Sequence, residues 1–279
     1  MNRMTIVAGA MLAGLFGCTQ DHDNVTKKLD DVLVRLDAID KRLEQFGGGA
    51  RAGAARPMPQ QDPQRPDPNT LYAVPVDDSD AFKGSRHAKV TIVEAFEFAC
   101  PHCSTVGKLL DDVLKEYKGD QVKVVSKHFI VHPQLATHAA LATCAANRQG
   151  KFAAWERRLW PLVWQGDPRP QLVRENLEPA ALEKLAGELG LDLRRFKADM
   201  TGADCAKDIE KDRSELAALG IRGTPGVYIN GRFYMGQRTV EAMKQVIDAE
   251  LAKADKAIAA GIKLEDYYAS LLKQGKRTL

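Results

Sequence analysis

Apolar residues recur at alternating spacings of four and three from residue 25 to residue 46: Val25, Leu29, Val32, Leu36, Ile39, Leu43 and Phe46. A helix turning once every 3.6 residues gathers such a series into one stripe, and a stripe kept up for roughly three heptads is a coiled-coil seam. With Leu29, Leu36 and Leu43 at a and Val25, Val32, Ile39 and Phe46 at d, the branching disfavours two strands and favours a trimer. Arg35 at g and Asp40 at the following e are placed to pair between parallel copies. The other reading of the stripe is an amphipathic helix lying along its own domain. Either way the pattern predicts a helix over 24–46.

Small and polar residues then take over. Residues 47–70 are rich in Gly, Pro, Gln and Arg, the composition of a flexible, partly extended linker. From residue 71 the pattern becomes α/β. Residues 72–76 read as a short edge strand, where Pro75 is tolerated. The apolar run 89–99 reads as a buried central strand leading into Cys100, 109–117 has a helical period, and 121–131 reads as a second strand. Strands then stop. Residues 133–219 are mostly helical, with breaks at Gly150, Gly166-Asp167-Pro168, Gly190 and Gly202, and Trp155, Trp160 and Trp164 as core. A strand returns at Gly226-Val227-Tyr228-Ile229, Asn230-Gly231 is the preferred two-residue hairpin turn, and 232–235 is the return strand. Helices over 239–259 and 264–272 complete the chain.

Composition narrows the functional classes. The 279 residues carry 40 basic and 37 acidic side chains, interleaved throughout, for a formal charge of +3. No nucleic-acid footprint results, and the basic end Lys273, Lys276, Arg277 reads as solvated. Residues 1–18 stand apart: Arg3 precedes an uncharged apolar run over 5–16, too short to span a bilayer but suited to a secretory signal. The run ends Leu15-Phe16-Gly17-Cys18, which resembles a bacterial lipobox, whose cysteine is lipidated and becomes the mature N-terminus. Ordinary signal-peptide cleavage is the alternative. Both place the mature chain outside the cytoplasm, where disulfides persist. The expected location is the cell envelope, facing the periplasm and lipid-anchored to the inner or outer membrane. Of five cysteines, Cys18 then goes to lipid, Cys100 and Cys103 form a close pair, and Cys144 and Cys205 are left as a candidate structural bridge or as two buried thiols.

The chemistry centres on Cys100-Pro101-His102-Cys103. A zinc site would need a second such pair, and Cys144 and Cys205 are isolated. A structural crosslink over two residues closes too small a loop to stabilise much. A redox dithiol fits the position between strand and helix, because the free N–H groups and dipole of a helix N-terminus favour a thiolate. Six residues upstream, Glu94 sits inside an otherwise apolar strand, a costly place for a carboxylate that is not hydrated, paired or working.

From about residue 74 to the C-terminus the chain resembles the DsbA-type branch of the thioredoxin superfamily, the bacterial DsbA-like proteins that include BdbD and ScsC. The residues that carry the likeness are the Cys100-Pro101-His102-Cys103 motif, Gly223-Thr224-Pro225, and the helical stretch dividing the strands. The resemblance implies an α/β thioredoxin fold with an inserted helical domain at about 133–219, preceded by the coiled-coil helix and linker. It implies that Cys100 is the exposed nucleophile and Cys103 the buried resolving thiol. His102 would lower the Cys100 pKa, and Glu94 would exchange a proton with Cys103, with Lys127 as its basic neighbour; Glu97 on the same strand competes for that role. Pro225 would be cis and face the dithiol, its loop offering backbone groups to an extended substrate. Thr224 departs from the Val of the enterobacterial oxidases and matches the isomerase DsbC and BdbD.

The resulting expectation is a periplasmic dithiol oxidase for exported proteins, without cofactor or metal, reoxidised by a quinone-linked membrane oxidase. An oligomeric isomerase or reductase, served by a membrane thiol reductase, is the second enzyme reading. A metal-handling lipoprotein using Cys100, Cys103, His128, His132 and His138 is a reading of a different class.

Overall fold

A computed structural model describes residues 19–47, 65–164 and 169–279. Cys18 and the signal segment, most of the 47–70 linker and the Gly166-Asp167-Pro168 break lie outside the described residues. The chain divides into two compact units, residues 1–60 and 61–279.

In the first unit, α1 (Thr19–Gly47) is one continuous helix. Its a and d residues Val25, Leu29, Val32, Leu36 and Ile39 are each 51–56 % exposed, which leaves the stripe open to solvent. Within the helix Arg35 pairs with Asp31 one turn earlier, at 2.9 Å. Among the described residues no helix is long and apolar enough to cross a membrane.

The second unit is built on a five-stranded sheet: β1 (Ala81–Gly84), β2 (Val90–Phe96), β3 (Val122–His128), β4 (Gly226–Ile229) and β5 (Arg232–Phe233), in spatial order β1-β3-β2-β4-β5. β2 and β3 are parallel, and the other pairings are antiparallel. Every residue of β2 is buried, as its unbroken apolar run requires of a strand covered on both faces. On one face Val90, Ile92, Val122 and Val124 pack under α2 (Pro101–Glu116) and α9 (Val240–Ala259). On the other, Val93, Ala95 and Val125 meet Leu216 of α8 (Ala203–Ala218).

Between β3 and β4 the chain forms the helical block: α3 (Pro133–Asn147), α4 (Phe152–Trp164), α5 (Pro170–Asn176), α6 (Pro179–Glu188), α7 (Leu193–Thr201) and α8. Gly150 and Gly190 adopt positive φ at its breaks, and Gly202 ends α7 and caps α8. Trp155 and Trp160 lie in its core beside Phe96 and Phe98. Cys144 of α3 and Cys205 of α8 are joined, with Cα atoms 5.8 Å apart and a sequence separation of 61. The last helix is α10 (Leu264–Gln274).

Two strand expectations are corrected. Residues 72–76 do not form an edge strand: the Tyr72 N–H donates to Gly231 O and the Ala73 N–H to Lys276 O, so the segment threads between the hairpin and the tail after α10. That tail is therefore fixed through its backbone and not wholly solvated. The edge beside β3 is instead β1, four residues with no full alternation to betray it. The return strand ends at Phe233. Its turn is as the sequence reads, with Asn230 at φ 45° and Gly231 at φ 78°.

Replacing both Cys144 and Cys205 with Ala is expected to cost about 4 kcal/mol, from the entropy restored to an unfolded loop of this length. Denaturant unfolding of the variant against the parent reads this; an unchanged midpoint would show that the bridge constrains nothing.

Candidate active site

β2 delivers the chain into the site. After Phe96, residues 97–99 turn, Cys100 is the N-cap of α2 in extended conformation, and Pro101 takes the first helical position, where its missing N–H is no loss. This loop is pinned from two sides. The Glu97 carboxylate accepts from the N–H groups of Val131 and His132, at 2.8 and 3.0 Å, and pairs with the His132 ring. The Phe98 carbonyl accepts from the Trp164 indole at 2.8 Å. Glu97 thus works as a clamp on the approach to the dithiol.

The two cysteines are unbridged and differ sharply. Cys100 is brought down to about 5, chiefly by the hydrogen bond from the Cys103 side chain, against the opposing effect of burial; the Thr224 side chain and the backbone N–H groups of Cys103 and His102 add to the lowering. Cys103 is pushed far upward by giving that hydrogen bond, by burial and by Glu94. One sulfur is built to hold charge and the other to hold a proton. Cys100 is not the exposed nucleophile expected: it is 5 % exposed and Cys103 not at all. The N-cap conformation turns the Cys100 side chain inward, so that Sγ lies 3.6 Å from the Thr224 carbonyl oxygen. Access is narrow, and Cys100 alone has it. His102 is exposed and reaches Cys100 through its backbone N–H.

The Thr224–Pro225 peptide bond is cis and closes over Cys100 from the β4 side. Beyond it runs a groove of about 500 Å³ whose lining includes Val106, Leu109, Pro225, Tyr234, Met235 and Arg238.

Glu94 lies beneath, 1 % exposed, its Oε1 without a hydrogen-bond partner, and burial pushes it up to about 8. Lys127 is not its neighbour. The β2–β3 register sets Glu94 opposite Ser126, so Lys127 points through the opposite face of the sheet. There Lys127 bonds Asp212 at 2.7 Å and Asp80 and Glu215 at 3.1 Å, tying β3 to α8. The basic group on the Glu94 side is Lys83 of β1, held by Asp111 of α2 and Glu156 of α4. Sequence reading missed all three. Glu156 did leave a signal, as a charge inside the helical stripe Phe152, Trp155, Glu156, Leu159, Trp160 and Val163. Lys83 left none, because β1 went unread.

The three histidines diverge. His128 is buried against the Phe96 ring, 4.8 Å between centroids, and burial holds it near 3, uncharged. His132 belongs to Glu97, and His138 lies on the surface 3.9 Å from Glu178. Among the described residues no group of three or more His, Cys, Asp or Glu could hold a metal ion.

The chain has relatives among known proteins. The thioredoxin family model matches residues 77–249. The chain is 34 % identical over 185 residues to Na(+)/H(+) antiporter NhaA 3 of Salinispora tropica, covering 65 % of this chain and 26 % of that protein. It is 29 % identical to the probable disulfide bond formation protein D of Bacillus cereus, covering 61 % of this chain and 78 % of the relative. The chain spans about a quarter of the length of the antiporter relatives. In structure it is similar to oxidised BdbD from Bacillus subtilis, with a TM-score of 0.54 and 22 % identity over 66 % of this chain and all of that one.

Thiolate absorbance of the reduced protein is expected to titrate near 5, and Thr224→Val to raise that midpoint by removing one donor. Folding is linked to the same ionisation. A thiol lowered from about 9 to about 5 stabilises the reduced fold fully above 9, and the gain is lost as pH falls through 5. The stability of reduced relative to oxidised protein should therefore fall on acidification across that window. A flat difference would show that Cys100 titrates like a free thiol.

Proposed function

This chain belongs to the thioredoxin family, and we propose that it is a thiol–disulfide oxidoreductase of the DsbA kind that oxidises dithiols in exported proteins. The observation that carries the reading is the opposed proton affinity of Cys100 and Cys103 at the start of α2, beside a cis-proline. A low Cys100 pKa stabilises the dithiol form and so makes the disulfide form a strong oxidant.

The steps balance without a cofactor. A substrate thiolate attacks Cys100 Sγ of the disulfide form, the Cys100–Cys103 bond breaks, and its electron pair leaves on Cys103, which takes a proton. A second substrate thiolate attacks the substrate sulfur of the mixed disulfide, and Cys100 leaves as a stable thiolate. Substrate loses two electrons and the enzyme gains them. Glu94, protonated at neutral pH, is the buried acid that supplies Cys103. The Thr224–Pro225 loop and its groove receive the substrate chain next to Cys100. A quinone-linked membrane oxidase is the proposed electron acceptor, and the periplasmic side of the envelope the proposed site, with Cys18 as lipid anchor.

The exposed stripe of α1 supports a second element of the proposal. A row of Leu, Val and Ile at a and d left in solvent finds its natural cover in the same row from other copies, with three favoured over two. Several tethered dithiols on one assembly suit disulfide shuffling, and Thr224 points the same way. Isomerisation is therefore the second reading.

Two measurements test this. Cys103→Ser should trap a mixed disulfide through Cys100 when its Cys100 thiolate attacks a disulfide-bonded client peptide, one client sulfur leaving as thiolate and no Cys103 thiol remaining to resolve the product. Cys100→Ser should abolish exchange; an active Cys100→Ser protein rules out the mechanism. The redox potential of the parent decides direction, an oxidising value favouring the oxidase. Separately, Leu29→Lys with Leu36→Lys should convert an oligomer to monomer in sedimentation without altering the Cys100 midpoint. A parent that sediments as a monomer removes the stalk.

A further inference from the structure

Glu94 has company on its side of the sheet. β1 contributes Lys83, α2 contributes Asp111, and α4, from the inserted helical block, contributes Glu156. Lys83 Nζ lies 2.6 Å from Asp111 Oδ1 and 2.6 Å from Glu156 Oε2. Glu156 is buried, its side chain 3 % exposed, and its Oε1 accepts from the Trp160 indole at 3.4 Å. Three carboxyls thus lie on the side of the sheet that holds one ammonium. The two that hold it are Glu156 and Asp111, while Glu94 Oε1 is left without a protein partner. Carboxyls this short of positive charge do not all ionise, and the proton stays with the least supported member. The other groups around Glu94 do not relieve it. Cys100 and Cys103 on α2 add no positive charge, His128 on β3 is neutral, and β4 and α9 offer Val227, Met243 and Ile247. Nor is Glu156 explained by stability, since a buried ion pair gains little over apolar side chains of similar size.

We propose that Glu156 is a positioning residue of the redox centre: by holding Lys83 it withholds that ammonium from Glu94, which therefore keeps a proton for Cys103. The inference rests on the exchange reaction proposed above and deepens it. When a substrate thiolate takes Cys100, the electron pair of the broken S–S bond leaves on Cys103 and the Glu94 proton neutralises it; solvent returns a proton to Glu94 before the next turnover. The helical block, absent from a minimal thioredoxin fold, thereby reaches under the dithiol and sets which protonation state of Glu94 the reaction meets.

The test is a carboxyl titration in the full reduced chain, by ¹³C NMR of labelled glutamate, with the Glu94 resonance assigned by its loss in Glu94→Gln. In the parent it should titrate near 8. Glu156→Gln, which keeps the shape and hydrogen bonds but not the charge, frees Lys83 and should lower the midpoint by about one pH unit or more. The pH profile of client oxidation, taken as a ratio to the parent to cancel the client's own titration, should move by the same amount. Asp111→Asn, at a partly exposed position that tolerates change, should move both the same way and less. A Glu94 midpoint that stays in place or rises in both folded variants overturns the inference, even if exchange is normal. A parent with no exchange activity overturns the proposed function, and the NMR midpoint then still decides whether Glu156 controls Glu94.

Discussion

The hydrogen bond between the Cys103 and Cys100 side chains assigns one proton between two sulfurs, and the rest of the site bears on which sulfur keeps it. Around Cys100 are donors: the first free N–H groups of α2 and the Thr224 side chain. Around Cys103 are apolar atoms and Glu94, which penalise charge. The asymmetry is chiefly a matter of which sulfur gives the hydrogen bond and which receives it; burial opposes the lowering at Cys100 and adds to the rise at Cys103. The fold exists to hold that difference steady. β2 brings the chain to the point, Pro101 starts the helix, and the block beyond β3 pins the intervening loop through His132 and Trp164.

The sheet also separates two charge clusters that would otherwise interfere. Alternate residues of a strand point to opposite faces. On one face Lys127 is surrounded by Asp80, Asp212 and Glu215, with Asp212 pushed up to about 6 by burial despite the ammonium beside it. That cluster joins β1, β3 and α8 and takes no part in the dithiol. On the other face, the face of Glu94, Lys83 is bound by Asp111 and Glu156. Two buried lysines, each with its own acids, thus have unlike work because of the parity of their positions.

Much of this was legible in the sequence for identifiable reasons. The central strand, α2, the helical block, the hairpin turn and the long last helices follow from period, glycine placement and apolar runs, all of which are local. The dithiol and the cis-proline loop were legible from residue type and order. Lys127 was misassigned because a likeness of sequence position says nothing about strand parity: one residue of register moved it across the sheet. Residues 72–76 were misread because their partners are a hairpin and a C-terminal tail far away in sequence.

The sequence by itself determined the kind of chemistry, since a dithiol between an apolar strand and a helix can do little else, and it determined where the helices and the central strands fall, though not the edge strand β1. Only the tertiary structure decided how that chemistry is tuned. The narrow opening over Cys100, the donors that converge on it, and the two acids that hold Lys83 beside an unpaired Glu94 come from β1, β2, α2, α4 and the loop before β4. Electrostatics acts through space at a few ångströms. Glu94, Asp111, Lys83, Glu156 and Thr224 lie 6 to 124 residues from Cys100 in the chain, and only proximity in the fold gives them a common field.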